Sequence, residues 1–146
     1  MCNKNIITES EKHKELDLIQ GCISRMANNS FLLKGWLITL VAVVLAFIPE
    51  NIDMLLISSI LIMIIFCFWY LDAFYLRTEK MYVALYNWVI VEREKNNRHK
   101  LYDLNPRRFK GEVKGTFKVM FSKTLIPFYV VPMVVSIAVV AIEIFK

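Results

Sequence analysis

Glycine and proline are scarce, four of each in 146 residues. That excludes a collagen-like repeat and a flexible linker. The three cysteines, Cys2, Cys22 and Cys67, include no pair at CxxC spacing, so neither zinc binding nor thiol redox chemistry is suggested. The two histidines, His13 and His99, have no ligand-spaced neighbours. No GxSxG, HExxH or phosphate-loop pattern occurs. No catalytic residue, metal or cofactor is therefore expected, and an enzyme is not the expectation. A disordered chain needs low hydrophobicity, and 57% of these residues are hydrophobic. Yet the net charge is +5. A chain this apolar and this basic must keep the two properties apart.

Charge is missing from long runs. A helical span needs about 20 mostly apolar residues. Phe31 to Ile48 carries only Lys34, three residues from its start, where the ammonium could snorkel to headgroups. Met54 to Leu71 and Leu125 to Ile142 carry no charge. The expectation is an all-α membrane protein with three transmembrane helices, an N-terminal cytoplasmic helix and a helical cytoplasmic stalk. Its segments are a cytoplasmic helix over 1–30, spans over 31–48 and 54–71, and an outer turn at 49–53. A stalk with a basic amphipathic helix follows over 72–123, then a third span and outer tail over 124–146. Lys and Arg number five in residues 1–34, none in 49–53 and twelve in 72–123. The positive-inside rule then places the N-terminus and stalk in the cytoplasm and the C-terminus outside, in a bacterial inner membrane.

Thr8 and Glu11 have capping-box spacing, and Leu16, Ile19, Ile23 and Met26 form one stripe of a helix over 9–29. Asn28-Asn29-Ser30 should end it, with Ser30 capping the first span. No Gly or Pro interrupts 54–104, so the second helix should run to about Asn97, with a stripe at Leu71, Phe74, Thr78, Met81, Leu85 and Trp88. These two stripes offer oligomer contacts. Asn105-Pro106 is a helix start, and the helix should reach Lys123.

The strongest feature is the basic block at 93–123, with ten Lys and Arg against Glu94, Asp103 and Glu112. It carries +7, so the rest of the chain sums to −2. One reading is topology plus contact with anionic lipid. The sharper reading is a site for a nucleotide or oligonucleotide at Arg98, Tyr102, Arg107, Arg108, Lys110, Lys114 and Lys118, since Arg and Lys hold phosphates and aromatics stack bases. Asp72 and Arg77 lie just past the second uncharged run and could form a polar latch between subunits or line a pore. Pro127 and Pro132 could make the third span a gating hinge. Glu143, with Glu50 and Asp53, could form an acidic outer mouth in a ring of subunits.

Two stretches carry a family resemblance. Asn28-Asn29-Ser30-Phe31-Leu32-Leu33-Lys34-Gly35-Trp36 enters the first span, and Trp69-Tyr70-Leu71-Asp72-Ala73-Phe74-Tyr75-Leu76-Arg77 leaves the second. Over residues 13–90 the chain resembles small transmembrane effectors of bacterial antiphage defence, of the Hailong type. The resemblance implies an oligomeric ion channel gated by a nucleotide or short DNA oligomer that a partner nucleotidyltransferase makes. No ligand-binding motif carries over residue by residue. The expected function is thus a homo-oligomeric pore-forming effector gated by an anionic cytoplasmic ligand. The alternative is a non-conducting membrane anchor that binds anionic lipid and a cytosolic partner.

Overall fold

The computed structural model describes residues 6–46 and 54–145, without the side chains of Leu45, Val139, Glu143 and Ile144. The expected outer turn, with Glu50 and Asp53, lies outside the described residues, as does Cys2. Every regular element among the described residues is helical: α1 (Glu9–Ala46), α2 (Met54–Glu94), a 3₁₀ turn (Pro106–Phe109), α3 (Thr116–Met120) and α4 (Ile126–Ile144). Both α1 and α2 are long and apolar enough to cross a membrane.

The capping box forms as the spacing predicts. The Thr8 N–H donates to Glu11 Oε2 at 2.9 Å, and the Glu11 N–H donates to Thr8 Oγ1 at 3.2 Å. The break expected at Asn28-Asn29-Ser30 is absent, and α1 runs unbroken through it for 38 residues. Ser30 is buried and gives its hydroxyl hydrogen to Asp72 on α2 instead of capping a new helix. A tertiary partner has overridden a local capping preference.

α2 has 41 residues and ends three residues earlier than expected, at Glu94. Its end is a Schellman motif: the Asn96 N–H reaches the Arg93 carbonyl and the Asn97 N–H reaches the Glu92 carbonyl, both at 3.1 Å. Asn96 takes the left-handed position that this motif requires, with φ 54°. Asparagine tolerates that region better than most residues.

α1 and α2 form an antiparallel pair, shown by the cross-contacts Glu15–Arg93 and Ser30–Asp72. Two apolar clusters line the seam. Ile19 packs with Leu85, Val89 and Phe109 at the polar end. Leu37 packs with Ile65, Trp69, Ala73, Val119, Met120, Leu125 and Tyr129 at the apolar end. The stripes expected to serve oligomer contacts are thus partly consumed inside the chain. Ile19 and Leu85 are fully buried, whereas Leu71 and Phe74 remain exposed. The buried register on α2 runs through Leu61, Ile65, Trp69, Ala73, Met81, Leu85 and Val89.

The expected helix from Pro106 to Lys123 does not form. Asn105 caps as predicted, its side chain accepting the Arg107 N–H at 3.1 Å, but only one 3₁₀ turn follows. The reason is distance along α2. The Phe109 ring packs on Trp88 with centroids 6.4 Å apart, while Trp69 Nε1 donates to the Met120 carbonyl at 3.0 Å. Those tryptophans are nineteen residues apart on α2, about 28 Å at the helical rise. The eleven steps from 109 to 120 would cover only about 16 Å as a helix. The chain must extend to meet both anchors, and Gly111 and Gly115 weaken any helix further.

Candidate functional site: a buried polar junction and a divided basic segment

Asp72 is fully buried where α1, α2 and α4 meet. Four residues earlier on α2 the uncharged run is still in progress, and one turn later Arg77 and Lys80 begin the polar part. Three side chains close on the carboxylate. Lys34 Nζ lies 2.6 Å from Oδ2, the Tyr129 hydroxyl donates to Oδ2 at 2.9 Å, and the Ser30 hydroxyl donates to Oδ1. Lys34 Nζ also bonds Ser30 Oγ at 2.8 Å. The lysine therefore turns inward, in place of the expected reach to headgroups, and its side chain is 23% exposed. The ring of Tyr129 also stacks on Trp69, with centroids 6.0 Å apart. An ion pair buried this well stands only when its remaining hydrogen-bond positions are filled. Here Ser30 and Tyr129 fill them. The latch expected between subunits therefore joins helices of one chain among the described residues.

A second buried pair closes the far end. Arg93 Nε lies 2.7 Å from Glu15 Oε2 and Nη2 lies 3.0 Å from Oε1, with both side chains fully buried. The remaining Arg93 nitrogen donates to the carbonyls of Asn97 and His99, the latter at 3.2 Å. The Tyr102 N–H completes Glu15 at 2.9 Å. This arrangement holds Lys100 and Tyr102 in the left-handed region, at φ 57° and 60°. Arg98 pairs with Glu11 at 2.9 Å. Thr8 and Arg98 together hold the Glu11 carboxyl below its usual range, and the Asn97 amide does the same for Glu92.

Of the seven residues expected to bind an anion, Arg98, Tyr102 and Arg108 make contacts within the fold. Arg98 and the Tyr102 backbone are engaged with Glu11 and Glu15 on α1. Arg108 lies face-on over Trp88, 4.0 Å from the ring centroid, with Asp103 at 3.8 Å. Its Nε and Nη2 are buried and have no hydrogen-bond partner among the described residues. Arg107, Lys110, Lys114 and Lys118 are exposed, and none of them makes an ion pair among the described residues. Lys114 shares an open groove with Lys80, Asn87 and Glu112, of about 380 Å³, between α2 and the 112–114 segment. Arg77 Nη1 reaches Thr116 Oγ1 at 3.4 Å, while its Nε is buried with no partner among the described residues.

Of the remaining expected positions, Pro127 opens α4 and Pro132 lies inside it. The Ser136 hydroxyl donates to the Pro132 carbonyl at 2.9 Å. Glu143 is in the last turn of α4, with its side chain outside those described. Sequence reasoning missed Ser30, Lys34 and Tyr129 as partners of Asp72, and Glu15 with Arg93 as a buried pair. Opposite charges in two helices whose apolar runs must align were the available signal. No protein-family model, curated protein or solved structure matches this chain.

Proposed function

We propose that the chain is a homo-oligomeric, pore-forming effector of a bacterial inner membrane, gated by an anionic cytoplasmic ligand and serving antiphage defence. The observation that carries this reading is the Asp72 junction. One carboxylate ties α1, α2 and α4 together where the apolar helices give way to the polar hairpin. A load applied to the polar end reaches every apolar helix through this point.

Distances support three spans. From Asp72 to Met54 is about 27 Å of helix, and from Tyr129 to Ile144 about 23 Å, against a hydrocarbon core of about 30 Å. The lysine and arginine bias supports a cytoplasmic N-terminus and stalk with an outside C-terminus. α2 packs against both α1 and α4, so a conduit would form between copies. Pro132 lies inside α4, where a proline permits a bend. The ligand, a nucleotide or short oligonucleotide from a partner nucleotidyltransferase, would enter the groove of Lys80, Asn87 and Lys114, with Arg107 and Lys110 nearby in sequence. The protein acts by permeation and catalyses no reaction.

The test is ion flux. The full chain in vesicles should stay closed alone and pass ions when short oligonucleotides are added on the stalk side. Charge reversal at Lys80 and Lys114 should abolish the response and flatten the salt dependence of oligonucleotide binding. Absence of flux with every nucleotide and oligonucleotide tried, together with a stable cytosolic partner in pull-downs, would favour the non-conducting anchor.

A further inference from the structure

The segment between the basic groove and α4 has a character of its own. α3 turns Val119 and Met120 into the apolar core and leaves Phe117 and Phe121 67% and 64% exposed. Lys114, Lys118 and Lys123 are exposed around them, and none makes an ion pair or side-chain hydrogen bond among the described residues. Lys114, Phe117, Lys118 and Phe121 line one open depression. Two large exposed rings are unfavourable against water, and three free ammonium groups are unfavourable within hydrocarbon. Both are satisfied at the boundary between the two.

Independent contacts place this segment at that boundary. Trp69 Nε1 holds the Met120 carbonyl, and the Phe121 ring meets the Trp69 ring edge-on at 5.5 Å. Phe117 meets Tyr70 at 6.1 Å. Trp69 and Tyr70 stand at the last turn of the uncharged run of α2, beside the Asp72 junction. Tryptophan and tyrosine favour this level of a bilayer. The apolar helix α4 starts within six residues of α3.

We infer that the 114–123 segment is an anionic-phospholipid site. Phe117 and Phe121 enter the acyl boundary, and Lys114, Lys118 and Lys123 bind lipid phosphates of the stalk-side leaflet. The inference rests on α1 and α2 crossing a membrane and does not depend on the pore. It divides the basic block: Arg93, Arg98 and Arg108 hold the fold, Lys118 and Lys123 face lipid, and Lys114 stands between them and the groove it shares with Lys80.

The experiment uses the full chain reconstituted in phosphatidylcholine vesicles, with spin-labelled phosphatidylglycerol or spin-labelled phosphatidylcholine as the probe. Resistance to alkaline extraction is scored first, so failure of the membrane reading is seen separately. The wild-type chain should immobilise phosphatidylglycerol in preference to phosphatidylcholine. Lys118→Gln with Lys123→Gln should lower that preference by up to roughly thirtyfold, because each of the two lysines near an anionic surface contributes on the order of 1 kcal/mol. Lys12→Gln with Lys14→Gln, at the far end of α1, should leave it unchanged. Equal immobilisation of the two lipids by the wild-type chain overturns the inference. So does a Lys118/Lys123 variant that keeps its lipid preference while losing binding of free oligonucleotide or inorganic phosphate.

Discussion

Glu15 and Arg93 show how much a single residue can carry. Each is fully buried, and each fills the other's hydrogen-bond positions. Removing one partner strands a charge, which typically costs about 3–5 kcal/mol, while replacing both by apolar residues can be nearly neutral. Glu15→Leu alone should therefore destabilise strongly, and Glu15→Leu with Arg93→Met should recover much of the loss in urea unfolding followed by circular dichroism. Recovery will be partial, because Arg93 also holds the Asn97 and His99 carbonyls and Glu15 holds the Tyr102 N–H. Glu11 makes a pH prediction. Its carboxyl sits below the ordinary value of 4.5, chiefly through the Thr8 N–H and then Arg98. A depressed carboxylate stabilises above its unfolded value, and that contribution is lost as pH falls through the folded one. The first turn of α1 should loosen as pH drops below 4.5, read as weaker amide protection around Lys12 relative to the unstructured exchange rate at each pH, and Glu11→Gln should flatten that dependence.

At the scale of elements, the connection from α2 to α4 is governed by its anchors. Gly115 has φ −59°, which any residue can adopt, and open space where a Cβ would stand. Gly115→Ala should stabilise by about 0.4–1 kcal/mol by restricting the unfolded chain. It should not raise helical ellipticity, because a continuous helix cannot reach both Trp88 and Trp69. A rise equivalent to two further helical turns would contradict this account. The Trp69 anchor can be tested directly. Trp69→Phe removes the hydrogen bond to the Met120 carbonyl, and a net loss of about 1 kcal/mol follows from the bond alone. The buried carbonyl left unpaired adds to it. The local sequence at Asn105-Pro106 foretold where a turn would start, but its length depended on residues far away on α2.

For the molecule as a whole, the Asp72 junction couples the two halves of the hairpin. Asp72→Asn keeps the shape and removes the charge, leaving Lys34 inside the helix junction without its counter-ion. Lys34 should then turn outward, as its flexible stem allows. Crosslinking between cysteines placed on α2 and α4 should fall. A pore that depends on the latch should conduct without ligand in this variant, and a rigid anchor should show no conductance in either form. Much of this architecture was legible early. The uncharged runs foretold apolar helices, two of them long enough to cross a membrane, and the skewed charges foretold a polar extension. The junction was half legible: Asp72 stood out for its position, but its partners come from residues 42 and 57 positions away.

The sequence by itself determined which segments are apolar, where α1 starts at its capping box, where α2 must leave its uncharged run, and that the surplus charge lies in one block. These follow from composition and local spacing, which each segment carries without its neighbours. Only the tertiary structure decided that α1 is unbroken at Ser30, that Lys34 points inward and that Arg93, Arg98 and Arg108 are engaged within the fold. It also decided that residues 106–123 break into a 3₁₀ turn and a five-residue helix where one helix was expected. In every one of these cases a local preference worth about 1 kcal/mol met a partner from a distant segment. The buried ion pair, hydrogen bond or anchor on α2 that resulted outweighed it.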